Sequence, residues 1–140
     1  MNKNIFDFKN KTAVITGGAQ GFGLDIAKRF LDGGGKVIIW DIDAKLIEKV
    51  LKDINNNNLS SNLVDVSVYR DVENTVDEIT KKTNIDILIN NAGITGPTKP
   101  LWKYDVDMWN EIVRINLFGT FNCCRAIVPN MIENNYGRIV

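Results

Sequence analysis

Histidine is absent from the sequence, cysteine occurs only twice, and lysine plus arginine balance aspartate plus glutamate at 17 each. With no net charge and no long run of one sign, the chain lacks the electrostatic footprint that nucleic acid or an anionic membrane surface would meet, so no polyanionic partner is expected. No segment approaches the ~20 consecutive apolar residues that cross a bilayer. The opening Met1-Asn2-Lys3-Asn4-Ile5-Phe6-Asp7 is too polar and interrupted for a secretory signal, and a cytoplasmic location is expected. Cys123 and Cys124 are adjacent within a helical pattern, where neighbouring side chains diverge. They therefore supply neither a disulfide framework nor a CxxC metal site, and are expected as small buried or interface residues.

What is present is a hydrophobic period that switches repeatedly between that of strands and that of helices. Such switching predicts an α/β layered domain, single over residues 1–140, with no dividing linker. Ala13-Val14-Ile15 reads as a first strand. Glycines and a helical stripe of Leu24, Ala27, Phe30 and Leu31 follow, closed by Gly33-Gly34-Gly35. Val37-Ile38-Ile39-Trp40 is apolar at every position, as in a parallel strand covered on both faces. Ile47, Val50, Leu51 and Ile54 mark a second helix that ends at Asn55-Asn56-Asn57-Asn58. A weaker third strand is expected around Leu63-Val64. Ser67 is then expected as N-cap of a helix whose inward face is Val68, Val72, Val76 and Ile79. Ile85 to Ile89 reads as a fourth strand, and a Gly, Thr and Pro-rich loop runs from Asn91 to about Pro100.

The segment from Asp105 to Asn134 reads as one long helix bearing Val106, Trp109, Ile112, Val113, Leu117, Phe118, Phe121, Cys124, Ile127, Val128 and Met131 on more than one face. A helix apolar most of the way round must be covered on two sides, and a sheet covers only one. A second subunit or a further part of the fold is expected on the other. Pro129 is expected to bend or end this helix near Val128. Arg138-Ile139-Val140 resembles the start of a fifth strand.

The strongest local signal is Thr16-Gly17-Gly18-Ala19-Gln20-Gly21-Phe22-Gly23, lying between the first strand and the first helix. Glycines there let the backbone turn tightly and approach a pyrophosphate, whose charge meets free N–H groups and the positive end of the helix dipole. Packing alone is the competing explanation for such glycines. Asp41 at the end of the second strand stands at the separation the dinucleotide fingerprint requires. A carboxylate there accepts both ribose hydroxyls of an adenosine and repels the 2′-phosphate of NADP. No Arg or Lys occupies Gly18, Ala19, Gln20 or Ile42 to offset that repulsion. NAD is therefore expected over NADP, the competing role for Asp41 being an ordinary turn or cap, a part Asp43 also fits.

Thr16-Gly17-x-x-x-Gly21-x-Gly23, then Asp65-Val66, then Asn90-Asn91-Ala92-Gly93, then Asn116 match in order and spacing the successive motifs of the short-chain dehydrogenase/reductase family. The chain resembles that family over nearly its whole length, and within it the branch of 3-oxoacyl-acyl-carrier-protein reductases and related sugar or hydroxy-acid dehydrogenases. The resemblance implies a Rossmann-type, doubly wound parallel sheet in three layers, here running out after the start of the fifth strand. It implies hydride transfer between nicotinamide and a small carbonyl or alcohol substrate, and a homo-oligomer joined through the long helix 105–134. Gly17, Gln20, Gly21, Phe22 and Gly23 would hold the diphosphate, and Asp41 with Ile42 the adenosine sugar end. Asp65 and Val66 would meet adenine, unless Asp65 merely caps the next helix. Asn90, Ala92 and Gly93 would steady the central strand and receive ribose, with Asn91 a structural residue. Asn116 would hold a water in the proton relay, its rival role being a satisfied structural kink.

In the family, protonation falls to a tyrosine assisted by a lysine four residues later, with a serine polarising the substrate. The residues four positions after Tyr69, Tyr104 and Tyr136 are Glu73, Met108 and Val140. The resemblance thus implies that the catalytic Ser, Tyr and Lys lie past Val140 and that these residues alone are inactive. The alternative is a catalytically inactive dinucleotide-binding or subunit-interaction protein. Thr95, Pro97 and Trp102 are expected near the substrate.

Overall fold

The computed structural model describes residues 6–140, so the opening Met1–Ile5 discussed above lies outside the described residues. The strands β1 (Thr12–Thr16), β2 (Lys36–Asp41), β3 (Leu59–Leu63) and β4 (Ile87–Ile89) alternate with helices α1 (Gly21–Asp32), α2 (Ala44–Ile54) and α3 (Tyr69–Thr80). After β4 an irregular segment leads through a short 3-10 turn, Leu101–Lys103, into α4 (Val106–Val113). A π-helical stretch, Arg114–Phe118, joins α4 to α5 (Gly119–Glu133), and β5 (Arg138–Ile139) follows.

The strands form one parallel five-stranded sheet in the order β3-β2-β1-β4-β5. Alternation along each strand sends successive side chains to opposite faces. Ala13, Ile15, Val37 and Ile39 therefore pack with Ala27 and Phe30 of α1 and with Ile47 and Val50 of α2. Val14, Ile38, Trp40 and Leu88 pack on the other face with Val72 and Val76 of α3 and with Cys123, Ile127 and Met131 of α5. The result is the three-layer, Rossmann-like arrangement that the apolar run of β2 requires. Each large side chain so buried stabilises the fold by roughly 1.5–3 kcal/mol. The chain reverses its direction of growth between β1 and β4, and the crevice beyond the carboxyl ends of those strands is where open α/β sheets bind ligands.

Four local expectations need correction. β3 occupies Leu59–Leu63 and not the apolar Leu63-Val64; it is an edge strand paired only with β2, so Ser60, Ser61 and Asn62 are tolerated there. Ile85 is fully buried but precedes β4, its N–H donating to Asn130 Oδ1 of α5 at 3.0 Å. Ser67 does not cap α3. The helix starts at Tyr69 with Val68 as N-cap, Val68 is exposed, and both the N–H and the hydroxyl of Ser67 turn back to donate to Asp65 Oδ1. Finally, the helix expected to bend or end near Val128 is not ended there and runs through Pro129 to Glu133. Pro129 gives up only the one bond its N–H would have made to the Arg125 carbonyl, and α5 continues past it with Ile127 and Met131 on either side both packed into the sheet core. The irregularity falls instead at the π-helical stretch, which carries Asn116.

Cys123 is fully buried and Cys124 partly so, and both are free. Burial pushes the Cys123 thiol from its ordinary value of 9.0 up to about 12, with a smaller contribution from neighbouring Cys124. The unfolded chain therefore loses this proton first as pH rises. The associated stability is complete below pH 9.0 and declines between there and about 12. At pH 8 Cys123 should stay unmodified by iodoacetamide in the native protein and react fully in denaturant, as read by peptide mass mapping. Native-state labelling of Cys123 at the denatured rate would contradict the packing of α5 on the sheet.

Candidate functional site

The turn from β1 into α1 is shaped by its glycines. Gly17 and Gly21 adopt left-handed backbone, φ 62° and 53°, which side chains disfavour. A methyl group at Gly23 would overlap the carbonyl oxygen of Gly17 and the side chain of Asn91, so α1 can lie this close to the turn only with hydrogen at that position. Gln20 sits at the N-cap in extended conformation without a side-chain capping bond, and no acidic residue occupies the first turn. The N–H groups at the start of α1 thus face the crevice with their share of the helix dipole unopposed.

Asp41, only 8% exposed, ends β2 beside this turn. One carboxylate oxygen accepts the Ala19 N–H at 3.1 Å and the other the Asp43 N–H at 3.2 Å. These bonds tie the glycine turn to β2 and leave further lone pairs on both oxygens. The competing cap role belongs to Asp43, whose side chain accepts from Lys45 and Leu46 N–H. Ile42, adjacent, is exposed.

At the end of β4, Asn91 Nδ2 donates to the carbonyls of Thr16 and Gly17, at 2.9 and 3.1 Å. The buried hydroxyl of Thr16 in turn accepts the N–H groups of Asn91 and Ala92, at 3.0 and 2.9 Å. The carboxyl ends of β1 and β4 are thereby cross-linked at the point where the sheet order reverses. Asn90 Nδ2 donates to Cys124 Sγ at 3.7 Å, while its buried Oδ1 has no partner among the described residues. Gly93 passes close to Asn116, where an added methyl would lie 3.1 Å from Oδ1. The Asn116 side chain is bound at both ends to Ile94, accepting from its N–H at 2.9 Å and donating to its carbonyl at 3.0 Å.

Asp65 and Val66 stand farther along the same rim, after β3. Val64 N–H donates to Asp41 carbonyl at 3.0 Å, which joins the two strand ends. Asp65 receives Ser67 and so also shapes the entry to α3, while Val66 carbonyl accepts from the buried Asn122 Nδ2 at 2.9 Å. Among the described residues, no group of three or more His, Cys, Asp or Glu could hold a metal ion.

The residues singled out by motif thus converge on one rim of the sheet, with Gln20 and Phe22 at the exposed start of α1. Sequence reasoning missed Asn122, although the argument applied to Asn116, an amide inside an apolar helix, fits it equally well. It also missed Arg114, a charged residue on a half-exposed helix, which carries no signal of its own.

The chain spans about half the length of the curated relatives it matches. It is 38% identical over 134 residues to the 2-dehydro-3-deoxy-L-rhamnonate dehydrogenase (NAD(+)) of Sphingomonas sp. (strain SKA58), covering 95% of this chain and 53% of that protein. It is 35% identical to the 3-oxoacyl-acyl-carrier-protein reductase of Chlamydia trachomatis serovar D, over 94% of this chain and 54% of that one. Among solved structures, an NAD+-bound xylitol dehydrogenase superposes with a TM-score of 0.89 at 31% identity, covering 94% of this chain and 52% of that one. The family described as short chain dehydrogenase matches residues 11–140. Given a glycine turn, an acidic strand end and a crosslinked switch point in this order on a parallel sheet, the chain belongs to the short-chain dehydrogenase family of oxidoreductases.

Proposed function

We propose that residues 1–140 form the NAD-binding unit of an oxidoreductase that moves hydride between nicotinamide and a small carbonyl or alcohol substrate. The observation that carries this reading is the uncapped, acid-free start of α1, held against the turn so closely that Gly23 has no room for a side chain. Such a terminus fits a diphosphate, received by the backbone of Gly17, Gln20, Gly21, Phe22 and Gly23. Asp41 accepts the hydroxyls of the adenosine ribose, with Ile42 beside it, and Asp65 with Val66 meets the adenine. Ala92 and Gly93 let the second ribose approach the backbone, and Asn91 braces them. Asn116 holds the segment at Ile94, and a water bound there would use the lone pair left on its Oδ1. When bound, NAD supplies the hydride carrier, and the chain's residues orient it and exclude water around it. The exposed Val106, Trp109, Leu117, Phe118 and Phe121 make a face for a second copy in a homo-oligomer. Location in the cytoplasm fits that use of NAD. Among the described residues, no helix is long and apolar enough to cross a membrane.

Preference for NAD rests on Asp41. Its fixed, nearly buried carboxylate leaves no room to turn away from a 2′-phosphate. Fluorescence titration of the full-length protein should give tighter binding of NADH than of NADPH. Asp41→Asn, which removes the charge and sets an amide NH2 against either the Ala19 or the Asp43 N–H, should weaken NADH at least about tenfold, the size of one charge-assisted hydrogen bond. The same substitution should narrow or invert the preference. Equal affinities in the unaltered protein, or an Asn variant with unchanged selectivity, would refute the assignment.

A further inference from the structure

Arg114 lies in the π-helical stretch, two positions from Asn116 and outside every motif discussed above. Its guanidinium is held by a bidentate pair with Glu111, Nε to Oε2 at 2.8 Å and Nη2 to Oε1 at 2.7 Å. That fork leaves Nη1 pointing across to the β3–α3 turn, where it donates to the hydroxyl of Ser67 and lies 3.8 Å from Asp65 Oδ2. Ser67 passes the restraint on, its hydroxyl donating to Asp65 Oδ1 at 2.5 Å and its N–H to the same oxygen at 2.9 Å. The mutual hydrogen bonds lower the Glu111 carboxyl and raise the Arg114 guanidinium from their ordinary values, so both remain charged at neutral pH.

Two more contacts fix the same turn from α5. Gly119 packs against Val66, where a methyl group would come within 2.7 Å of Cγ2, and the buried Asn122 holds the Val66 carbonyl. Val66 N–H has no acceptor among the described residues. The turn thus keeps Asp65 Oδ2 and Val66 N–H as an acceptor and donor side by side, the pattern complementary to the amine and ring nitrogen on one edge of adenine.

Building on the cofactor reading above, we propose that Arg114 is a positioning residue for purine recognition: through Ser67 it fixes the Asp65 carboxylate, and so sets selectivity for a 6-aminopurine. Because Arg114 and Asn116 share one π-helical stretch, it also ties the Asp65 turn to the segment held at Ile94. A surface ion pair contributes little to stability by itself, and here the pair is half exposed. The effect of Arg114 is therefore expected in recognition more than in folding.

The test compares NADH with reduced nicotinamide hypoxanthine dinucleotide, which carries a carbonyl in place of the amine, in the full-length protein. The unaltered protein should favour NADH. Arg114→Met and, independently, Ser67→Ala should each weaken NADH about tenfold. Either should weaken the hypoxanthine analogue by less than about twofold, with Arg114→Lys giving partial recovery. Equal losses for the two dinucleotides, or no loss in either variant, would overturn the proposal and leave Arg114 a structural residue. An unaltered protein that bound neither dinucleotide would instead remove the cofactor reading itself.

Discussion

Gly23→Ala is expected to reduce dinucleotide affinity on the order of a hundredfold, the scale of a displacement of about 1 Å in a positioned site. The added carbon meets the Gly17 carbonyl oxygen and the Asn91 amide, which are backbone and a doubly bonded side chain, and neither yields cheaply. Relief requires α1 to back away from the turn. That carries its free N–H groups away from any phosphate and loosens the packing of Ala27 and Phe30 on the sheet. Overpacking of this kind costs about 1–3 kcal/mol of stability as well. Gly21→Ala provides the contrast. A methyl group there meets nothing within 4 Å, so only the left-handed φ of 53° opposes it, at about 1–2 kcal/mol. Thermal melts and NADH titrations of the two variants should therefore diverge, with Gly23→Ala losing affinity far more than stability alone explains. A Gly23→Ala protein that bound and melted like the parent would mean the helix is not held against the turn as described.

The contrast between these glycines also marks what a sequence can disclose. The glycine turn, the apolar β2 and the switch from strand to helix period are each local in the chain, and each follows from steric rules acting on neighbours. Which of the glycines is required for space and which for conformation is not local. It depends on Asn91, reaching across from the end of β4 to the carbonyl of Gly17. The misplaced elements follow the same division. β3 carries little hydrophobic signal because an edge strand is held by ladder bonds to β2 and needs few apolar residues of its own. Ser67 carries the side chain of a cap, yet its hydroxyl is committed to Asp65 and Arg114, the latter distant in sequence. Pro129 predicted an interruption that falls instead at the π-helical stretch Arg114–Phe118, whose Asn116 side chain is bound to Ile94, a partner that local sequence rules do not reveal.

Thr16→Val should produce the other large effect, with almost no change in volume. Thr16 is nearly fully buried at the end of β1, and its hydroxyl accepts the N–H groups of both Asn91 and Ala92. Asn91 N–H has a second acceptor, the Ile89 carbonyl at 3.1 Å, whereas Ala92 N–H has no other among the described residues. Valine keeps the shape and the β-branched fit to the strand, so no cavity opens. What is lost is the only acceptor of the half-buried Ala92 N–H, at a cost of about 1–3 kcal/mol, together with the hydroxyl's own weak donation to the Ile89 carbonyl at 3.4 Å. The consequence should extend to the cofactor. With Ala92 free to rotate toward water, the segment from Asn90 to Gly93 loses its register against Gly17, and NADH affinity should fall at least about tenfold if that register is worth one charge-free bond or more. Thr16→Ser retains the hydroxyl and should recover most of both losses, although it gives up one buried methyl group, worth about 0.8 kcal/mol. Equilibrium denaturation with matched titrations of the two variants separates the terms. If serine and valine proved equally damaging, the methyl packing of Thr16 would outweigh its hydrogen bonds, and the link between β1 and β4 would be steric rather than polar.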